Sequence, residues 1–131
     1  MTRFAGYAAV FDREDRGGDV IRAGAFASAR GPVPLLWEHG GRAGMIERIE
    51  EDERGLRVIG SAERTVAAGL GLSIGYRIRA ARDRPNGREL IDLDLVEVSL
   101  VRFPMQSLAR VLAVEEQGRS SPIQRGGSEQ S

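Results

Sequence analysis

Two long alternating runs flank Pro85-Asn86-Gly87, and that pattern limits this chain more than any other. Asn-Gly readily takes the positive φ values of a tight turn, so Leu72–Ala81 and Glu89–Val101 read as the arms of a hairpin. In the first arm Leu72, Ile74, Tyr76 and Ile78 share one face, and Ser73, Gly75, Arg77 and Arg79 share the other. Further strands are expected at Phe4–Phe11, Val20–Ile21 and Arg110–Val114, with a hairpin of Met45–Glu50 and Gly55–Ala62 around an acidic turn. Beyond the breaker pair Gly31-Pro32, Leu35–His39 reads as a strand with Leu35, Trp37 and His39 on one face. Ala23–Ala29 reads as a helical turn of small residues, and Thr65–Leu70 as either a helical turn or a loop. About seven short strands separated by turn signals imply a mainly β fold, a closed or nearly closed barrel with few short helices. Residues 1–114 form one such domain, and the Gln/Ser/Gly-rich stretch 115–131 reads as a disordered polar tail.

Composition removes several function classes. No apolar run is long enough to span a bilayer and no signal peptide opens the chain, so no membrane partner is expected and synthesis is read as cytoplasmic. The 19 basic residues, all arginine, balance 19 acidic ones and interleave with them, and aromatics make up only 5%. A nucleic-acid footprint is therefore missing. Without lysine there is no Walker motif, and the glycines around Leu70 have the wrong spacing for a dinucleotide fingerprint. An EF-hand read from Asp12 would put Arg16 and Ala23 where oxygen ligands are required. One histidine and no cysteine leave no zinc set, so neither metal nor cofactor is expected.

Three polar residues stand inside the most apolar stretches. His39 ends Val33-Pro34-Leu35-Leu36-Trp37-Glu38-His39, Ser73 lies in Gly71-Leu72-Ser73-Ile74-Gly75-Tyr76, and Glu97 interrupts Leu95-Val96-Glu97-Val98-Ser99-Leu100-Val101. A buried charge or imidazole is costly unless something pairs with it. A nucleophile, a base and an orienting carboxylate can satisfy one another, as in a hydrolase triad. Glu97 shares the parity of Leu93, Leu95 and Val101, so either a β-bulge turns it outward or its carboxylate faces inward and needs a partner. The only histidine, His39, is either a structural hydrogen-bonder or the one ordinary general base near neutral pH. The glycines near Ser73 are of a kind that lets a substrate backbone approach closely. The pattern points to an enzyme of the serine-protease type.

The order of these blocks resembles the prohead (capsid-maturation) protease family of tailed phages, a family akin to the herpesvirus maturational protease. The matching stretches are Gly6–Asp12, Gly18–Ile21 with Gly24–Phe26, Val33–His39, Gly71–Tyr76, and Leu95–Val101 through Phe103-Pro104-Met105. The resemblance implies a Ser-His-Glu endopeptidase with Ser73 as nucleophile, His39 as general base and Glu97 as third member. It also implies a place inside the assembling procapsid of a phage, prophage or gene-transfer-agent particle, with the scaffolding segment of the major capsid protein, and the protease itself, as substrates. Oxyanion donors are left open between backbone N–H groups near Ser73 and a water held by arginine. A departure lies at Ser61–Gly71, where family members carry a longer connection with a helix, and in related proteases helices help build a homodimer. The alternative reading is a catalytically inactive capsid-assembly or scaffold-binding factor on the same fold.

Overall fold

Each alternating run becomes a strand, and the bulges between them decide which side chains meet. The structure is a computed structural model and describes residues 1–116. Its strands are β1 (Thr2–Val10), β2 (Val20–Ile21), β3 (Val33–Trp37), β4 (Arg42–Glu51), β5 (Gly55–Ala62), β6 (Gly71–Arg84), β7 (Gly87–Val101) and β8 (Val111–Glu116). They form one sheet in the order β2-β7-β3-β4-β5-β1-β8, with β6 paired to β7. Along one edge β7 carries β6 antiparallel. Its other edge takes β2 and then β3, both parallel. From β3 onward every neighbour is antiparallel.

The expected barrel of about seven strands is corrected to an eight-stranded sheet that does not close. The two ends of the sheet meet only at Arg110. Its neighbours bond the start of β6, through Leu72 N to Ala109 O and Val111 N to Leu70 O, both 2.8 Å. Arg110 O, on the opposite edge of the same segment, accepts from Tyr7 N, and β8 then continues along β1. Between β6 and β8 there remains only the isolated bridge Gly71–Arg110. At the far end, β6 beyond Tyr76 is largely exposed and stays paired to β7, whose other edge there carries β2.

No helix occurs among the described residues. The expected helical turn at Ala23–Ala29 is a series of single turns, with Ala25, Ala27 and Ala29 N–H each bonding three residues back. The Glu51 carboxylate holds that segment by accepting from Gly24 N (2.9 Å) and Phe26 N (2.7 Å). The connection after β5 is a loop pinned by buried Val66. Glu115 and Glu116 are the last residues of β8; the remainder of the expected polar tail, 117–131, lies outside the described residues.

Leu35, Ile46, Leu56, Val58, Leu72, Leu90, Leu93, Val98, Leu100 and Val111 make the fully buried centre. Along β7 the inward residues change parity, from Leu93 to Val98 and Leu100. The change follows from a register shift in which Gly75 opposes Glu97 but Tyr76 opposes Leu95, leaving Val96 as the extra, exposed residue. A bulge inserts one residue and so exchanges the two faces of the strand beyond it. Glu97 and Ser99 thereby leave the face of Val98 and Leu100 and join that of Ser73 and Gly75, their cross-strand partners.

Candidate active site

His39 does not continue the strand as expected. β3 ends at Trp37, and Glu38 and His39 both take left-handed φ values, 50° and 61°. Gly40 N bonds Trp37 O at 2.8 Å across them, which makes a turn of the I′ kind. Such positions favour Gly or Asn, because a Cβ there costs roughly 1–2 kcal/mol per residue. Tertiary bonds hold the turn instead. Glu38 N donates to Leu100 O (2.9 Å), and the Glu38 carboxylate accepts from Arg102 N (3.0 Å). Trp37 is covered by the Arg64 guanidinium, 4.0 Å from the ring centroid, with Arg102 at 5.7 Å. The expected shared face of Leu35, Trp37 and His39 ends where this turn begins.

The turn delivers the imidazole to the bulged segment of β7. His39 Nδ1 lies 2.7 Å from Glu97 Oε2. The other carboxylate oxygen, Oε1, accepts from Ser99 Oγ at 2.8 Å, and that same Oγ accepts from His39 N at 3.0 Å. Glu97 is nearly buried, with 11% of its side chain exposed against 45% for His39. Both sequence alternatives for Glu97 hold at once: a bulge turns it off the core face, and it is still buried, with a partner.

Ser73 stands directly opposite Ser99 on the antiparallel neighbour strand. Residues so paired share a face, with Cβ atoms about 5 Å apart. Three expected residues thus reach one patch: His39 and Glu97 in direct contact, and Ser73 one strand over. The Ser73 hydroxyl makes no hydrogen bond among the described residues, and neither does His39 Nε2. Beside Ser73 a cleft of about 50 Å³ is lined by Ile21, Ile74, Tyr76, Met105 and Gln106 among others. Burial pushes the Tyr76 phenol above its ordinary pKa, so it stays protonated as a donor there. A surface groove of about 1000 Å³ between Tyr7, Arg54 and Leu112 includes none of the three residues. The smaller cleft includes Ser73 but neither His39 nor Glu97.

Sequence reasoning missed two residues. Ser99 was within a quoted block but had no role; its two-residue spacing from Glu97 is the signal, because i and i+2 share a strand face. Gly75 was read as room for a substrate backbone, whereas its space is taken by the Glu97 side chain. A Cβ at Gly75 would stand 2.3 Å from Glu97 Oε2.

A carboxylate that fixes Nδ1–H leaves the Nε2 lone pair to take a proton, and a serine with an unengaged hydroxyl on the same face is the matching donor. Among known families, residues 1–122 match the model described as the caudovirus prohead serine protease. The chain belongs to that family. It is similar to the prohead protease of Enterobacteria phage HK97, with 30% identity over 136 residues, 86% of this chain and 60% of the relative. The chain thus spans a little under two thirds of the length of that relative.

Proposed function

We propose that this chain is a serine endopeptidase of prohead maturation, with Ser73 as nucleophile, His39 as general base and Glu97 as the residue that orients the imidazole. The observation that supports it best is the Glu97–His39 pair at 2.7 Å on the face that carries Ser73. In the reaction, His39 Nε2 takes the Ser73 proton as Oγ attacks a peptide carbonyl, then returns it to the leaving amine. Glu97 holds the Nδ1–H tautomer and stabilises the imidazolium that forms. The Ser73 and His39 side chains draw into hydrogen-bond reach as substrate arrives, as catalytic pairs commonly do on leaving the apo state. The substrate is the scaffolding segment of the major capsid protein, with the protease cutting itself as well, inside the procapsid in the host cytoplasm.

Co-expression with the major capsid protein of the same particle tests this, read by intact mass of both chains. Wild type shortens the capsid protein and Ser73→Ala does not. Full-length capsid protein in both samples, with the chain still bound to it, would replace the protease with a binding-only assembly factor.

A further inference from the structure

We infer that Ser99 is a positioning residue of this site: its hydroxyl sets the charge and proton arrangement of the Glu97–His39 pair. This rests on the reading of His39 as the base. A backbone N–H can only donate, and His39 N–H is 3.0 Å from Ser99 Oγ. The serine oxygen therefore accepts there, and its single proton goes to Glu97 Oε1 at 2.8 Å. Oε1 is thereby an acceptor. With Glu97 ionised, Oε2, 2.7 Å from Nδ1, can only accept, so the proton sits on Nδ1 and the lone pair on Nε2. The four groups close a ring in which every proton has one direction. That ring also ties the backbone of the left-handed His39 to the carboxylate that holds its side chain.

Its location makes Ser99 suited to this task. The residue is fully buried, opposite Ser73 on one side and Leu36 on the other, so its strand is flanked on both edges at this point. A hydroxyl fixed in a central strand holds its partners more tightly than one on a loop. Full burial also keeps it from touching substrate.

The test uses the fact that His39 is the only histidine of the chain. Nitrogen-15 NMR of the full-length protein then reports one imidazole without assignment. Wild type is expected to show a single Nδ1–H tautomer and a downfield, slowly exchanging Nδ1 proton. In Ser99→Ala that proton broadens or disappears and the tautomers mix, while circular dichroism stays that of a folded sheet. Ser99→Thr, which keeps the hydroxyl, restores the wild-type signal. If the alanine variant fails to fold, Ser99→Cys supplies the same reading with a weak donor of similar size. An unchanged signal in Ser99→Ala or Ser99→Cys overturns the inference. Glu97→Gln separates the two failures: if it too leaves the imidazole signal unchanged, the His39–Glu97 pairing itself falls. A fluorophosphonate probe adds a rate. Its labelling of Ser73 slows about tenfold in Ser99→Ala, the effect expected from one charge-assisted hydrogen bond. NMR changes without any Ser73 labelling in wild type would uphold Ser99 as positioning the pair while removing the protease reading.

Discussion

The Glu97 carboxylate occupies the space above Gly75, its partner across the strand pair, so closely that a Cβ there would meet Oε2 at 2.3 Å and Cδ at 2.8 Å. Gly75→Ala therefore has to displace the carboxylate from His39 or spread β6 from β7. Overpacking of this kind costs about 1–3 kcal/mol. Thermal unfolding is expected to show that loss, and capsid cleavage to fall at least as far as in Glu97→Gln. Wild-type cleavage by Gly75→Ala would mean that the carboxylate position does not matter.

Glu97→Gln preserves size but replaces one acceptor oxygen with a donor. Ser99 Oγ already donates to one side of the group and Nδ1 faces the other, so the amide must either clash with one donor or reverse the imidazole tautomer. The reversed tautomer removes the Nε2 base, and the other orientation leaves a neutral oxygen at Nδ1 that no longer stabilises the imidazolium. The expected fall in turnover is about 10²–10⁴-fold, the range for removing a proton carrier or its tautomer lock. Stability changes little if the amide finds the Ser99 side, which a melt compared with wild type will show. A variant within twofold of wild-type turnover would remove Glu97 from the mechanism.

What could be read in advance follows a physical line. The β6–β7 hairpin was legible because Asn86-Gly87 and the alternation of its arms are local signals. His39, Ser73 and Glu97 stood out because polar groups in apolar runs must be paired. The open sheet was not legible, since it depends on whether β6 and β8 pair beyond the single Gly71–Arg110 bridge, a long-range match no local window records. The turn at Glu38-His39 was hidden for a different reason. It has neither the Gly nor the Asn that normally announces left-handed backbone, and distant bonds to Leu100, Ser99 and Arg102 supply what the local residues lack. The single extra residue at Val96 decides the face of Glu97, and alternation alone cannot locate such a slip. Strain at the site and mismatch with local rules therefore coincide, as expected where geometry serves chemistry.

Gln106 fixes the loop that walls the Ser73 cleft. Its amide pairs both backbone groups of Val10, accepting from N and donating to O at 2.8 Å each, and reaches Arg13 O at 3.3 Å. Gln106→Ala strands buried backbone groups, each worth about 1–3 kcal/mol. A combined loss near 3 kcal/mol is expected, lowering the melting temperature by about 10 °C. Hydrogen exchange should rise at Val10 and along 103–109. A melt within about 2 °C of wild type would show that water replaces the amide without cost.

Asp19 gives the fold an acid sensitivity whose direction follows from its partners. Its carboxylate accepts from Arg88 N (3.0 Å) and Arg88 Nη2 (2.8 Å), clamping the 12–19 loop to the tip of the β6–β7 arm. Only 12% of the side chain is exposed. The hydrogen bond from Arg88 holds the carboxyl below its ordinary range, outweighing the burial that pushes it up. Asp15, which accepts from Asp19 N at 3.0 Å, Arg84, bonded to Gly18 O at 2.7 Å, and the Tyr76 phenol, which the Asp19 charge helps keep protonated, also stand around it. A folded pKa below the unfolded value of about 3.9 means that the contribution is fully present above that value. As pH falls, the unfolded chain takes up the proton first, and the contribution is lost by the time the folded carboxyl is protonated. Wild type should therefore exceed Asp19→Asn by about 1–2 kcal/mol at pH 7 in denaturant melts. The gap should be unchanged at pH 5.5, taken as about 1.5 units above the unfolded value, and clearly smaller at about pH 3. A gap that stayed constant down to about pH 3 would place the stabilising effect of Asp19 in packing and not in its charge.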